Sequence, residues 1–138
     1  MTPQMQLQAF LDHAFPHAAL EIVRVGDRQA VLRQPVRVHD LRPGGTVSGP
    51  TLMGLADAAL YVAILGEIGL VELAVTSSLT INFLRKPMAD RALRAECRLL
   101  RLGRTLAVGE VSVYSEGEPE PVAHVVGTYA IPARPGAV

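Results

Sequence analysis

The sequence predicts an α+β domain in which an antiparallel sheet curls around one central helix. Two observations lead to this fold class. The segment from residue 49 to about 66–69 is apolar nearly all the way round a helix, as expected of a helix buried on most sides. Two strand-like segments precede it and four follow it, several with apolar and polar residues in alternation.

The elements before the central helix are predicted from local signals. Residues 3–14 carry apolar side chains at near-helical spacing after Thr2 and Pro3, a cap and a favoured first-turn proline. Residues 19–25 and 29–38 are predicted strands joined by a turn around Gly26 and Asp27. Pro35 indicates an edge position or a bulge in the second strand, because proline cannot donate to a ladder.

The central helix follows a glycine-rich loop over residues 42–48. Ser48 is a suitable N-cap or pre-cap residue, and Pro50 suits the first helical turn. Small side chains keep the helix thin, which indicates that a sheet wraps closely around it. They are Gly54, Ala56, Ala58, Ala59, Ala63 and Gly66.

The remaining chain predicts four strands, over residues 73–85, 91–102, 104–115 and 121–131. A polar turn, SEGEPEP, separates the last two. We expect one domain over residues 1–138, with an N-terminal helical region at 1–18 and a loose tail at 132–138.

Composition excludes several classes of function. The 13 basic and 13 acidic residues balance, so no general attraction to nucleic acid or to an anionic membrane is expected. Cys97 is the only cysteine, which excludes an internal disulfide and fits a reducing compartment. No signal peptide is visible, and Glu67 and Glu72 interrupt the apolar run too early for a membrane span. We therefore expect a soluble, cytoplasmic protein.

The common catalytic fingerprints are missing from the sequence. There is no nucleophile elbow, because GTVSG has the wrong spacing, and no P-loop or dinucleotide motif. The histidines have no ligand spacing with acids or with the cysteine, so we expect no metal site and no cofactor. They are His13, His17, His39 and His124.

Asp57 is the unusual residue, an acid in an otherwise apolar helix. A buried carboxylate costs several kcal/mol unless it is paired or hydrogen-bonded, so it is either satisfied structurally or used chemically. Its helical neighbours form an apolar patch with space beside the acid, which is typical of a pocket wall. They are Met53, Gly54, Leu60 and Tyr61. The backbone N–H of Gly49, at the helix N-terminus, is placed to favour an anion or a polarised carbonyl oxygen.

The order of elements and this loop resemble the hotdog-fold thioesterases, most closely the phenylacetate-degradation type of acyl-CoA thioesterase. That family carries Asn-x-x-Gly-x-x-His-Gly-Gly, and then an Asp or Glu eight residues after the first glycine of the final pair. Here Gly45 and Gly49 keep the two glycine positions, and Asp57 stands eight residues after Gly49. The strings INFLRKP and LGRTLAVGEVSVY also resemble later strands of the family.

The resemblance implies a role for each matched residue. The Gly49 amide would polarise the thioester carbonyl, and Asp57 of a neighbouring subunit would act as nucleophile or general base. The chain would then form a homodimer or a dimer of dimers. Thr76, with Ser77 and Ser78 as near alternatives, would hold the attacking water. In that case the polar face of Thr76, Ser78, Thr80 and Asn82 looks toward the cleft, although it equally fits the solvent side of the strand.

The loop also departs from the family pattern. Ser48 replaces the histidine, Arg42 replaces the asparagine and Pro50 replaces the second glycine. Ser48 and Arg42 remain candidates for substrate contact. Basic side chains near the site mouth are either phosphate ligands for coenzyme A or solvated strand-end charges. They are Arg85, Lys86, Arg101 and Arg104.

The leading functional hypothesis is hydrolysis of an acyl-CoA thioester, with coenzyme A present only as part of the substrate. A second hypothesis is an acyl-CoA-binding protein with little or no catalysis, motivated by Ser48 and Arg42. A third is a dehydratase or hydratase on the same fold, which needs a histidine; His39 is a poor positional match. None of the three involves nucleic acid or a membrane.

Overall fold

The computed structural model describes residues 2–133, which form an antiparallel sheet packed against one long helix. The sheet has six strands in the order β1-β2-β4-β5-β6-β3, so β1 and β3 are its edges. This is the hotdog arrangement that the sequence predicts. The elements in chain order are α1 Pro3–Ala14, β1 Glu21–Gly26, β2 Gln29–Gln34, a short 3₁₀ turn Val38–Asp40, α2 Gly49–Ile68, β3 Val75–Phe83, β4 Leu93–Leu102, β5 Leu106–Ser115 and β6 Ala123–Ala130.

Helix α2 is the core of the domain and begins where the sequence predicts. Ser48 is its N-cap, with its hydroxyl accepting from the Thr51 N–H at 3.3 Å, and Pro50 lies in the first turn. The helix ends at Gly69, whose φ of +88° is a conformation that favours glycine. By length and apolarity α2 could also cross a membrane, but its flanks are buried against the sheet, as in the core helix of a globular domain.

The closest approach of α2 to the sheet occurs at Leu60. This side chain is fully buried and rests on Gly109 of β5 and Gly127 of β6, which are paired across the ladder. A Cβ added at Gly109 or at Gly127 would lie 2.6 or 2.5 Å from a Leu60 methyl group. The two glycines therefore form a notch that only a residue without a side chain can provide.

Two sequence predictions are corrected by the strands. The segment predicted at 29–38 ends at Gln34, so Pro35 lies just beyond the strand. The prediction of an edge position or bulge in that strand is wrong, because β2 lies between β1 and β4 and pairs regularly with β4. The bulge occurs instead in β1, where the register shifts between Ile22 and Arg24. Residues 134–138 of the predicted tail lie outside the described part of the chain.

We expect Gly127→Ala to destabilise the fold, because its methyl group would lie 2.5 Å from Leu60 Cδ1 and 2.8 Å from Leu79 Cδ1. Overpacking of this kind costs about 1–3 kcal/mol of unfolding free energy, measurable by chemical denaturation. Gly54→Ala is the matched control, because its added methyl meets no atom within 4 Å and alanine favours a helix. Equal stability of Gly127→Ala and wild type would contradict the notch.

Candidate active site

The candidate active site is a cavity of about 530 Å³ that runs along α2 from its first turn to Tyr61. Its wall is formed by one face of α2, the end of β2, the segment after α1 and the start of β3, together with Tyr129 of β6. Apolar and aromatic groups dominate, including Phe15, Leu20, Leu55 and Tyr61. Of the residues that the sequence groups as a pocket wall, Asp57, Gly54 and Tyr61 line this cavity. Met53 and Leu60 do not, because Met53 is exposed and Leu60 is buried against the sheet.

Asp57 is held by two hydroxyl groups on one of its two carboxylate oxygens. Thr76 Oγ1 donates to Asp57 Oδ1 at 2.7 Å, and the Tyr129 hydroxyl donates to the same oxygen at 2.7 Å. The Tyr129 hydroxyl also lies 3.1 Å from the Asp57 carbonyl oxygen. Among residues 2–133, no group donates a hydrogen bond to Oδ2. One oxygen is therefore fixed, and the other remains available to a molecule in the cavity.

Thr76 reaches Asp57 because β3 contains a bulge. The register with β6 shifts between Thr76 and Ser78, leaving Ser77 as the extra residue. Thr76 consequently lies opposite Tyr129, on the helix side of the sheet, whereas Asn82 lies opposite His124 on the other face. The expectation that Ser78, Thr80 and Asn82 face the cleft along with Thr76 is therefore wrong, because one extra residue reverses the side of the strand.

Tyr129 is a site residue that the sequence patterns do not identify. Its ring is buried and stacks on Tyr61 with the ring centroids 6.0 Å apart, and the Tyr61 hydroxyl donates to the Glu72 carbonyl at 3.0 Å. Burial raises the pKa of the Tyr129 phenol, with the hydrogen bond to Asp57 acting in the same direction and that to Thr76 opposing it. The phenol therefore stays protonated and serves as a hydrogen-bond donor at neutral pH.

Gly49 presents an open backbone donor at the N-terminus of α2. Of the first-turn donors, the Thr51 N–H is capped by Ser48, the Leu52 N–H bonds the Ser48 carbonyl, and Pro50 has no N–H. The Gly49 N–H, by contrast, has no acceptor among residues 2–133. The Phe83 ring lies against Gly49, at 3.2 Å from the position of an added Cβ. A single amide is thus left free at the positive end of the helix dipole.

Gly49 and Asp57 lie in different cavities of the same chain. Gly49 lines a second cavity of about 430 Å³, whose wall also contains Arg42, Arg85 and Lys86. Arg85 is ion-paired with Glu120 at 2.8 Å, whereas Arg42 and Lys86 form no ion pair within residues 2–133. Because eight residues of helix span about 12 Å, one small substrate group cannot reach both Gly49 and Asp57 in one chain.

The other predicted site residues lie apart from these two cavities. Ser48 is occupied as the cap of α2, and Met53 is exposed on α2 without lining either cavity. Arg101 and Arg104 lie where β4 turns into β5, and neither lines these cavities. His39 is largely exposed in the 3₁₀ turn and also lies outside both walls. Within the described chain, no three His, Cys, Asp or Glu side chains come together in a way that could hold a metal ion.

Comparison with known proteins gives the family. The sequence profile of the Thioesterase superfamily matches residues 44–122, which include the loop from Gly44 onward, α2, and strands β3 to β5. The chain belongs to the thioesterase superfamily. A search of curated proteins found no significant match.

Solved structures of other superfamily members share this fold. A candidate thioesterase from Silicibacter sp. TM1040 is 42% identical, with a TM-score of 0.86 over 94% of this chain and 92% of that one. A variant of the phenylacetic acid degradation protein PaaI from Thermus thermophilus is 27% identical, with a TM-score of 0.74 over 90% and 99%. A hypothetical thioesterase from Streptococcus pneumoniae, solved with coenzyme A, has a TM-score of 0.77 over 95% and 98%; its 23% identity shows the fold alone.

The buried Tyr129 phenol makes the free energy of unfolding depend on pH in the alkaline range. An unfolded tyrosine loses its proton near about pH 10, whereas burial raises the pKa of Tyr129 in the native state. This contribution to stability is present below about pH 10 and falls at higher pH by up to about 1.4 kcal/mol per pH unit. The free energy of unfolding, measured in urea at a series of alkaline pH values, should therefore fall less steeply with pH for Tyr129→Phe than for wild type. Identical slopes for both proteins would contradict this assignment.

Proposed function

We propose that the protein hydrolyses acyl-CoA thioesters. The proposal depends mainly on the unequal hydrogen bonding of the two carboxylate oxygens of Asp57. Oδ1 accepts two hydrogen bonds from hydroxyl groups, whereas Oδ2 has no donor among residues 2–133. A carboxylate needed only for stability gains most when both oxygens are satisfied. A carboxylate that must attack, or accept a proton from water, needs one oxygen free and correctly aimed.

In the proposed reaction, the thioester carbonyl oxygen accepts a hydrogen bond from the Gly49 amide, which stabilises the negative charge that develops there. Asp57 Oδ2 either attacks the carbonyl carbon directly or removes a proton from the attacking water. In both routes the C–S bond breaks and the thiolate of coenzyme A takes up a proton. After direct attack the acyl group is held on Asp57 as a mixed anhydride, which a water molecule hydrolyses to the free acid and the carboxylate of Asp57; in the other route the attacking water itself forms the free acid. No cofactor is required.

The site is proposed to form between two copies of the chain. Gly49 and Asp57 line separate cavities and lie about 12 Å apart along α2, so each must meet the substrate together with its complement from another copy. A twofold homodimer supplies two such composite sites, and further pairing of dimers leaves this arrangement unchanged.

The basic group around Gly49 is proposed to bind the phosphates of coenzyme A. Arg42 and Lys86 line the same cavity as Gly49 and carry no ion-pair partner among residues 2–133, and Arg85 lies beside them. The Streptococcus pneumoniae protein, which has the same fold, was solved with coenzyme A, so this fold can hold that group. A cytoplasmic location, where acyl-CoA is available, follows from the proposal.

The first test is Asp57→Asn, assayed on a panel of aryl, short and medium acyl-CoAs by release of free thiol. We expect kcat to fall about 100-fold or more, because asparagine can neither attack nor accept the proton. Asp90→Asn is the control, because Asp90 is exposed and lines neither cavity.

The protein's own thiol should not disturb this assay, since burial raises the pKa of Cys97 to about 12. Unchanged turnover by the folded Asp57→Asn variant would refute the assignment. Tight binding of acyl-CoA without thiol release by wild type would favour the non-catalytic binder.

The second test distinguishes the loss of the Gly49 N–H from the steric effect of adding a Cβ at this position. Gly49→Pro removes the N–H at a helix position that tolerates proline, whereas Gly49→Ala keeps the N–H and makes the same Cβ contact with Phe83. We expect kcat to fall about 100-fold or more in the proline variant only.

Subunit exchange between Gly49→Pro and Asp57→Asn should then restore activity, up to about a quarter of the wild-type sites in a random mixture of dimers. Equal activity of the alanine and proline variants would contradict the role of the amide. A mixture that stays inactive although exchange is complete would contradict the composite site.

A further inference from the structure

Gln34 occupies a core position in the wall of the Asp57 cavity. It is the last residue of β2, and it follows Ala30 and Leu32 on the face that packs on α2. Both of these residues are 0% exposed, and Gln34 itself is only 8% exposed. A third apolar side chain is the expected residue at such a position, because its cross-strand neighbour Leu93 is also fully buried.

The amide of Gln34 makes no hydrogen bond to any residue from 2 to 133, although it lines the cavity. Asp40, the other buried polar group in this wall, is by contrast satisfied by the Arg37 N–H at 2.9 Å, with Thr51 Oγ1 at 3.4 Å. The polar atoms of Gln34 are not fully enclosed, because the one fully enclosed side-chain atom without a partner among residues 2–133 is Arg37 Nε. A polar group that no residue pairs with is retained where a ligand or water completes it. Gln34 reaches such a molecule through the cavity that it lines.

The charge of the cavity wall restricts what can bind there. Asp40, Asp57 and Glu72 line it, and no Lys, Arg or His from the described residues does so. A carboxylate on the acyl group would therefore be repelled by these side chains, and this chain's own wall offers it no counter-ion. The wall fits an uncharged, mainly apolar acyl group that carries one hydrogen-bonding substituent.

We propose that Gln34 is a specificity-determining residue that binds a hydroxyl group on the acyl chain of the substrate. A glutamine amide offers both a donor and an acceptor, which matches the donor and acceptor of a hydroxyl. The inference rests on the proposed thioesterase function, because it places the acyl group in the cavity beside Asp57.

The test compares straight-chain acyl-CoAs with their ω-hydroxy counterparts over a series of chain lengths. The ratio of kcat/KM for the hydroxylated substrate to that for the unsubstituted one is measured in wild type and in Gln34→Met. We expect wild type to prefer the hydroxylated substrate at one chain length. At that length the ratio should be about tenfold or more lower in the variant. Gln29→Met, at the other end of β2 and outside the cavity, should keep the wild-type ratio.

Two further measurements make the result decisive. The melting temperature of ligand-free Gln34→Met should equal or exceed that of wild type, because the substitution removes an unpaired amide. A lower melting temperature, or the same ratio in both proteins at every length, would overturn the role of Gln34. If wild type hydrolyses none of these thioesters, the proposed function fails. In that case the affinities of each hydroxylated and unsubstituted acyl-CoA are measured by calorimetry for wild type and Gln34→Met. Tighter binding of the hydroxylated ligand by wild type, lost in the variant, supports the role of Gln34. Equal binding of the two ligands by wild type overturns it.

Discussion

The packing of Leu60 into the notch formed by Gly109 and Gly127 is the constraint on which the rest of the structure depends. It sets both the distance of α2 from the sheet and the rotation of the helix about its axis. Asp57 lies one turn before Leu60 on α2, and Tyr129 lies two residues after Gly127 on β6. The packing that buries Leu60 therefore also places the carboxylate beside the phenol, 2.7 Å from its hydroxyl. The geometry of the site is a consequence of the core.

The sequence predicts the parts of this molecule that depend on short-range signals. The cap at Ser48, the proline in the first turn and the all-round apolar face define α2 almost to the residue. The fixed offset between Gly49 and Asp57 follows from helix spacing together with the family resemblance. Gln34 is visible in the sequence as a polar residue at the next position of the buried alternation of Ala30 and Leu32. Its importance becomes clear only when the structure shows that it lines the cavity.

The partners of Asp57 could not be predicted in the same way. Tyr129 is 72 residues away along the chain, and its position depends on how β6 pairs in the sheet. Thr76 depends on one extra residue in β3, which reverses the side of the strand that follows. A period-two pattern assumes an unbroken strand, so it assigns Thr76 and Asn82 to one face, whereas the bulge separates them.

The position of β6 has a consequence for folding. It is the last of the six strands along the chain, yet it lies between β5 and β3 in the sheet. During synthesis β3 is made well before β6, and it has no strand to pair with until β6 arrives. Its unpaired backbone groups would meanwhile be open to pairing with other nascent chains. Docking of the final strand pairs one side of β3 and brings Tyr129 to Asp57, so completion of the sheet and assembly of the site are one event.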